Sequence, residues 1–359
     1  MDLRHIEVPK KMLKNVAENR KFNEVIEGYY RRLIEEAEKE RKRTLQNNLD
    51  NLHACNRNWY MDQYTLAKVK DFKKTNLCKD KFCSNCKKVK QASRMARFMP
   101  EIEEQLKIHP HAYQMVLTVP NVSGDELERT IKRMSKSAAM LMQYLNGSRK
   151  AKWLSIGHQS VGAIRTLEIT YKSDSYHPHF HLLLLLDKPT GEKIHSNVYG
   201  FNRYEGKEVR QFSDFEIKIQ KMWRMIYDGV RLTEKNYNEL ELGYSCMVDE
   251  MNEGDYLELF KYMVKGETED KRMMQYSQFK VLHQALKHVR QIQGYGVFHN
   301  IQDDDSVDDL VDEKYNAVIE MLQEQEKPEF VYQTTSDLLE DNEYTLISRK
   351  RIYQYLKTL

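Results

Sequence analysis

The run Tyr176-His177-Pro178-His179-Phe180-His181, continuing into Leu182 to Leu186, constrains this chain more than any other segment. Residues two apart on a strand face the same side. His179 and His181 therefore aim two imidazoles at one place while Phe180 points the other way. Five leucines in succession fit a strand buried on both faces. An imidazole pair fixed on a rigid strand is suited to hold a divalent metal. His177 shares that face on strict alternation, but it precedes Pro178, which favours a place off the regular strand.

The flanking pattern places this strand in a mixed fold. Tyr113 to Val119 alternates like a strand and stops at Pro120. Asp125 to Leu145 reads as a helix with Ser123 as N-cap. Ala163 to Tyr171 reads as a strand, joined to His179–Leu186 through the turn residues Ser173, Asp174 and Ser175. Phe215 to Tyr227 reads as a helix, Tyr244 to Val248 as a strand and Tyr256 to Val264 as a helix. The order β-α-β-β-α-β-α predicts an α+β fold with an antiparallel ferredoxin-like sheet and helices on one face. A further helix is expected over Lys271 to Gln293, ahead of Gly294 and Gly296.

The formal net charge of +3 hides a strong asymmetry. Residues 51–100 hold twelve Lys or Arg against three Asp or Glu, whereas residues 301–359 hold six against fifteen. A basic block beside a metal site points to a phosphate-rich partner. The N-terminus is charged from Asp2 and Arg4 onward, and the longest apolar run is only a strand long. The expectation is a soluble cytoplasmic protein with no membrane partner. Its cysteines are then metal ligands rather than disulfides.

Cys78, Cys83 and Cys86 lie in that basic block, the last two as Cys-x-x-Cys, with Cys55 upstream. Four thiolates hold zinc tetrahedrally and fold a small loop-rich unit around it. His53 is the alternative fourth ligand. Lys87, Lys88, Lys90, Arg94 and Arg97 surround the unit with positive charge, as a nucleic-acid surface requires. Cys246 stands alone in a strand pattern and reads as core.

On the helix expected over Tyr256–Val264, Glu258 and Tyr262 are four apart and share a face, and Lys265 continues it. A phenol is a poor nucleophile at its ordinary pKa of about 10. A nearby cation favours the phenolate, and Glu258 is placed to take a proton as a general base.

Five stretches in this order resemble the HUH endonucleases. They are Cys78 to Cys86, Leu117-Thr118-Val119, Gly162 to Thr170, Tyr176 to His181 and Glu258 to Lys265. More closely they resemble the rolling-circle replication initiators of small Gram-positive plasmids, in the single-tyrosine group with a glutamate ahead of the tyrosine. The resemblance implies that His179 and His181 bind Mg²⁺ or Mn²⁺, with Glu168 as third ligand or close neighbour. It implies that Tyr262 attacks the scissile phosphate and leaves a 5′-phosphotyrosine and a free 3′-OH. Glu258 would activate water to end the cycle, and Lys265 would position the phosphate or the tyrosine. The implied substrate is single-stranded or hairpin DNA at a plasmid origin in a bacterial cytoplasm. A host helicase and a second copy of the chain are further partners to expect.

The resulting organisation has five parts: a charged helical extension (1–50), a Cys-rich basic zinc-binding unit (51–98), an HUH catalytic domain (99–300), an acidic linker (301–313) and a C-terminal helical segment (314–359). The extension shows Phe22, Val25, Ile26, Tyr29, Tyr30, Leu33 and Ile34 at helical spacing. Two other readings fit part of the pattern. A single-strand DNA transposase keeps the chemistry, and a non-catalytic zinc-dependent DNA-binding regulator keeps only the cysteines.

Overall fold

The computed structural model describes residues 5–54, 58–61, 72–75, 78–151, 153–154, 159–196, 210–251, 273–300, 330–334 and 346–348. The chain divides into two compact units, residues 1–96 with 304–359, and residues 97–303.

The first unit opens with β1 (His5–Pro9), α1 (Lys10–Glu36) and α2 (Lys39–Ala54). Ile26, Tyr30 and Leu33 of α1 and Leu45, Leu49 and Leu52 of α2 recur at steps of three and four, and all six are buried. Two such stripes pack against each other and leave the charged residues outside. β2 (Asn58–Met61), β3 (Phe72–Thr75) and the start of α3 (Ser84–Ile108) follow.

The second unit runs β4 (His111–Thr118), α4 (Gly124–Leu145), β5 (Ser160–Lys172), β6 (Ser175–Leu186), β7 (Lys193–Ser196), β8 (Gln211–Ser213), α5 (Asp214–Asp228), α6 (Glu234–Glu239), β9 (Cys246–Glu250), α7 (Tyr276–Ala285) and β10 (Ile292–Gly296). Its sheet has the order β10-β5-β6-β4-β9, with every neighbour antiparallel. Within it, β4, β5, β6 and β9 follow the split β-α-β order, and β10 adds a fifth strand beside β5. β11 (Phe330–Thr334) and β12 (Leu346–Ser348) return to the first unit, where β11 pairs with β1 and β12 with β2.

Alternation gives the large sheet two distinct faces. β4 buries Tyr113, Met115 and Leu117 and half-exposes Gln114, Val116 and Thr118. Leu117 lies opposite Phe180 and Met115 opposite Leu182. That side carries the helical layer: α4 packs on β6, α5 on β9, and α4 touches both α5 and α7. Trp223 of α5 donates from Nε1 to the Thr118 carbonyl at 2.6 Å and pins the end of β4. The other side carries Thr118, Thr166, Glu168, His179 and His181.

Two expectations are corrected. The helix expected over Lys271–Gln293 is only α7, and Ile292 onward is strand β10. The two glycines explain the change. A Cβ on Gly294 would stand 1.9 Å from the Phe298 carbonyl oxygen, and Gly296 has φ +60°. The chain folds back on itself there as only glycine allows. Over 314–359, the described residues are strands β11 and β12 rather than helix. Phe330, Val331 and Tyr332 belong to the aromatic and β-branched types that favour strands.

Glu216 ties the edge strand to the helical layer. It is fully buried, accepts from the Ser213 backbone at 2.7 Å in a capping box, and accepts from Val248 N of β9 at 2.8 Å. Arg210 (3.3 Å) and Lys193 (3.7 Å) balance its charge, and both also bind Asp249. Glu216→Ala leaves two buried donors and a cation short of an acceptor. Urea titration should show a loss of about 3 kcal/mol. A change below about 1 kcal/mol would contradict this role.

Candidate metal centre

Pairing register assembles the centre. Glu168 of β5 lies directly across from His179 of β6, and Thr166 across from His181. On the other flank, Thr118 and Val116 of β4 face the same two histidines. One oxygen, Glu168 Oε2, lies 3.2 Å from His179 Nε2 and 2.9 Å from His181 Nε2. The two imidazole centroids are 4.9 Å apart. Neighbouring strands enclose the group, leaving His179 8% exposed.

Hydrogen-bond bookkeeping shows that these residues suit a cation. His179 Nδ1 lies 3.1 Å from the His177 carbonyl oxygen, which has no proton to give. Nδ1 therefore carries the hydrogen, and in the neutral ring Nε2 is left with a lone pair. That lone pair faces a carboxylate oxygen, also electron-rich, at 3.2 Å. Such a contact is repulsive unless positive charge lies between. A backbone carbonyl holding the far N–H of a ligating histidine is the usual support of a metal site. Among the described residues, Glu168, His179 and His181 form one of two groups whose ligand atoms all lie within 4.8 Å of one another. His177 lies beside them, its ring 5.2 Å from that of His179.

Sequence reasoning passed over Arg165. This side chain is buried on the helical side of β5, with its guanidinium 4.2 Å from the Phe180 ring. Among the described residues, its Nε and Nη1 have no hydrogen-bond partner. Burial lowers its pKa, and the Tyr295 hydroxyl partly offsets that. A cation stacked behind the residue that separates the two histidines stiffens the strand presenting them. The readable signal was a charged residue at a core position of an otherwise apolar strand.

The second group is Cys78, Cys83 and Cys86. The Cys78 and Cys86 sulfurs lie 3.5 Å apart. Three sulfurs around tetrahedral zinc are separated by roughly 3.8 Å, from Zn–S bonds of about 2.3 Å. Cys83 immediately precedes α3 and Cys86 lies in its first turn, where the helix dipole favours thiolates. Asn23 of α1 donates from Nδ2 to Cys83 Sγ at 3.5 Å and accepts from Ser84 N at 3.0 Å. Tyr30 donates to the Asp80 carboxylate, and burial followed by that carboxylate raises its pKa. Lys87 is not an outward cation as expected. It sits over the Phe22 ring, and burial pulls its pKa down to about 8. His53 stands apart, with Nδ1 3.1 Å from Glu27. Cys246 is buried as expected, and burial pushes its thiol pKa well up. Cys55, Glu258, Tyr262 and Lys265 lie outside the described residues.

The fold and site together define an α+β protein with a carboxylate and two histidines converging on a central strand pair, and a separate thiol cluster. Comparison with known proteins narrows that class. The Rep_1 family model, described as replication protein, matches residues 69–195, which include both clusters. Protein rep of Staphylococcus aureus is 34% identical over 182 residues, covering 49% of this chain and 70% of the relative. Protein rep of Lentilactobacillus hilgardii is 31% identical over 127 residues, covering 34% and 37%. Protein rep of Streptococcus pneumoniae is 29% identical over 113 residues, covering 30% and 32%. The chain belongs to this family of replication proteins. No solved structure matches it. No helix among the described residues is long and apolar enough to cross a membrane.

Proposed function

We propose that the chain is a plasmid rolling-circle replication initiator that nicks and rejoins one DNA strand at the origin. The observation that carries this reading is the convergence of His179 Nε2, His181 Nε2 and Glu168 Oε2 in a replication protein. The split β-α-β strand order supports the HUH type of fold, with the histidine pair on a central strand.

In the proposed reaction the Tyr262 phenolic oxygen forms a bond to the scissile phosphorus while the bond to the 3′ oxygen breaks. The products are a 5′-phosphotyrosine and a 3′-OH that primes synthesis. Lys265 steadies the phosphate. Rejoining is the reverse step, in which a 3′-OH bonds to the phosphorus as the phosphotyrosine bond breaks. To end the cycle, Glu258 takes the proton from a water whose oxygen bonds to the phosphorus while the tyrosine oxygen leaves, freeing a 5′-phosphate. His179, His181 and Glu168 would hold Mg²⁺ or Mn²⁺, which when bound polarises the non-bridging phosphate oxygens. The test is a 3′-labelled single-stranded hairpin from the replicon encoding this chain, incubated with the protein and Mn²⁺. A covalent adduct on a denaturing gel is the expected result. Tight binding without an adduct would sink the nuclease reading and leave a DNA-binding regulator.

Cys78, Cys83 and Cys86 are proposed to hold a structural zinc, with Cys55 as the fourth ligand. Elemental analysis of the purified chain should find about one zinc, lost in Cys83→Ser together with the stability of the first unit. Full zinc retention by Cys83→Ser would refute the assignment.

A further inference from the structure

The outer surface of the helical layer lies on the side of the sheet away from the metal centre, and the proposed reaction does not use it. α4 carries Arg129, Lys132, Arg133 and Lys136, spaced i, i+3, i+4 and i+7, so the four cations form one stripe about 10 Å long. With Asp125 and Glu128 they line an open depression of about 520 Å³. Arg129 pairs with Glu126 and Lys132 with Glu128, each at 2.5 Å. Among the described residues no carboxylate neutralises Arg133 or Lys136.

The neighbouring surface alternates cations with aromatic rings. Arg133 stacks on Tyr227 at 4.5 Å, Arg224 on Tyr244 at 5.4 Å, Lys221 on Tyr237 at 4.9 Å and Arg149 on Tyr144 at 5.3 Å. Such pairs occur roughly once per 70–80 residues. Four of them fall between residues 133 and 244, on α4, α5, α6 and the loops that follow α4 and precede β9. Arg133, stacked on its ring and with no carboxylate beside it among the described residues, offers the planar fork of donors that suits phosphate, whereas Arg224 is already held by the Leu242 carbonyl and by Asp228. Cations interleaved with rings form the kind of surface that tracks a nucleic-acid backbone.

We propose that this face, centred on Arg133 and Lys136, is a second DNA-contact surface that binds the phosphate backbone of duplex DNA. The inference rests on the replication-initiator reading, because it takes DNA as the partner. The face and the metal centre lie on opposite sides of the sheet, so the face meets the duplex flanking the nicked strand rather than the reacting nucleotides. It supplies affinity without base readout.

The experiment is a fluorescence anisotropy titration of the full chain with a 30-bp duplex of arbitrary sequence, labelled at one end, at several NaCl concentrations. No cleavage is needed, so failure of the nicking assay and failure of this proposal remain separate results. Arg133→Glu with Lys136→Glu should weaken binding at least tenfold and lower the slope of log K against log salt by about 2. An unchanged melting temperature in the double variant shows that it is folded; were it unfolded, Arg133→Gln with Lys136→Gln gives the same reading with half the charge change. Equal affinity and slope in folded variant and wild type would overturn the proposal. So would tighter binding of polyglutamate than of the duplex at equal charge concentration, which would assign the face to an acidic protein.

Discussion

Tyr262→Phe is expected to abolish the covalent protein–DNA adduct and to lower nicking by on the order of 10⁴-fold or more. The substitution removes one oxygen and nothing else, so folding, zinc content and DNA binding should match wild type. The proposed mechanism contains no second nucleophile for this step. Raising Mn²⁺ should not rescue the variant, because the missing group is the attacking atom. Retained adduct formation would mean that another side chain attacks, and Tyr256 is the next to test.

The second large effect belongs to the three converging side chains proposed to hold the ion. His181→Ala and Glu168→Ala should each lower nicking by about 10²–10³-fold, the usual consequence of losing charge stabilisation at a developing oxyanion. Unlike the tyrosine variant, both should recover partly as Mn²⁺ is raised, and both should show weaker Mn²⁺ binding by calorimetry. His179→Ala should behave alike and also strand the His177 carbonyl that now receives its Nδ1 hydrogen. Unaltered Mn²⁺ affinity in Glu168→Ala would remove that carboxylate from the ligand set. It would then serve only to orient the two rings.

Much of this arrangement was legible in the sequence because strands and amphipathic helices impose short repeats. The strand character of β4, β5 and β6 followed from alternation and from the leucine run, and α4 and α5 from their apolar stripes. The histidine pair was readable because its spacing equals the strand repeat. Glu168 was harder, since its place depends on the register between two strands, which only the short connection at Ser173 and Asp174 sets. β10 was missed because five residues containing two glycines carry too little apolar pattern to end a neighbouring helical one. A helix from Phe215 was expected, without the capping box that Ser213 and Glu216 form ahead of it, and nothing local shows that Glu216 also accepts from the backbone of β9, thirty-two residues on. Arg165 shows the same limit: an arginine in an apolar strand is visible, but the ring beneath it is not.

The connection between β5 and β6 is two residues long, and Ser173 adopts φ +52° to close it. Adding or removing a single residue within β6 between Ser175 and His179 would rotate the imidazoles into the apolar layer and bring Phe180 out in their place. The number of residues in this stretch therefore decides which face the histidines take. Engineers who splice tags or sensors into this protein should leave the corner intact and choose sites elsewhere.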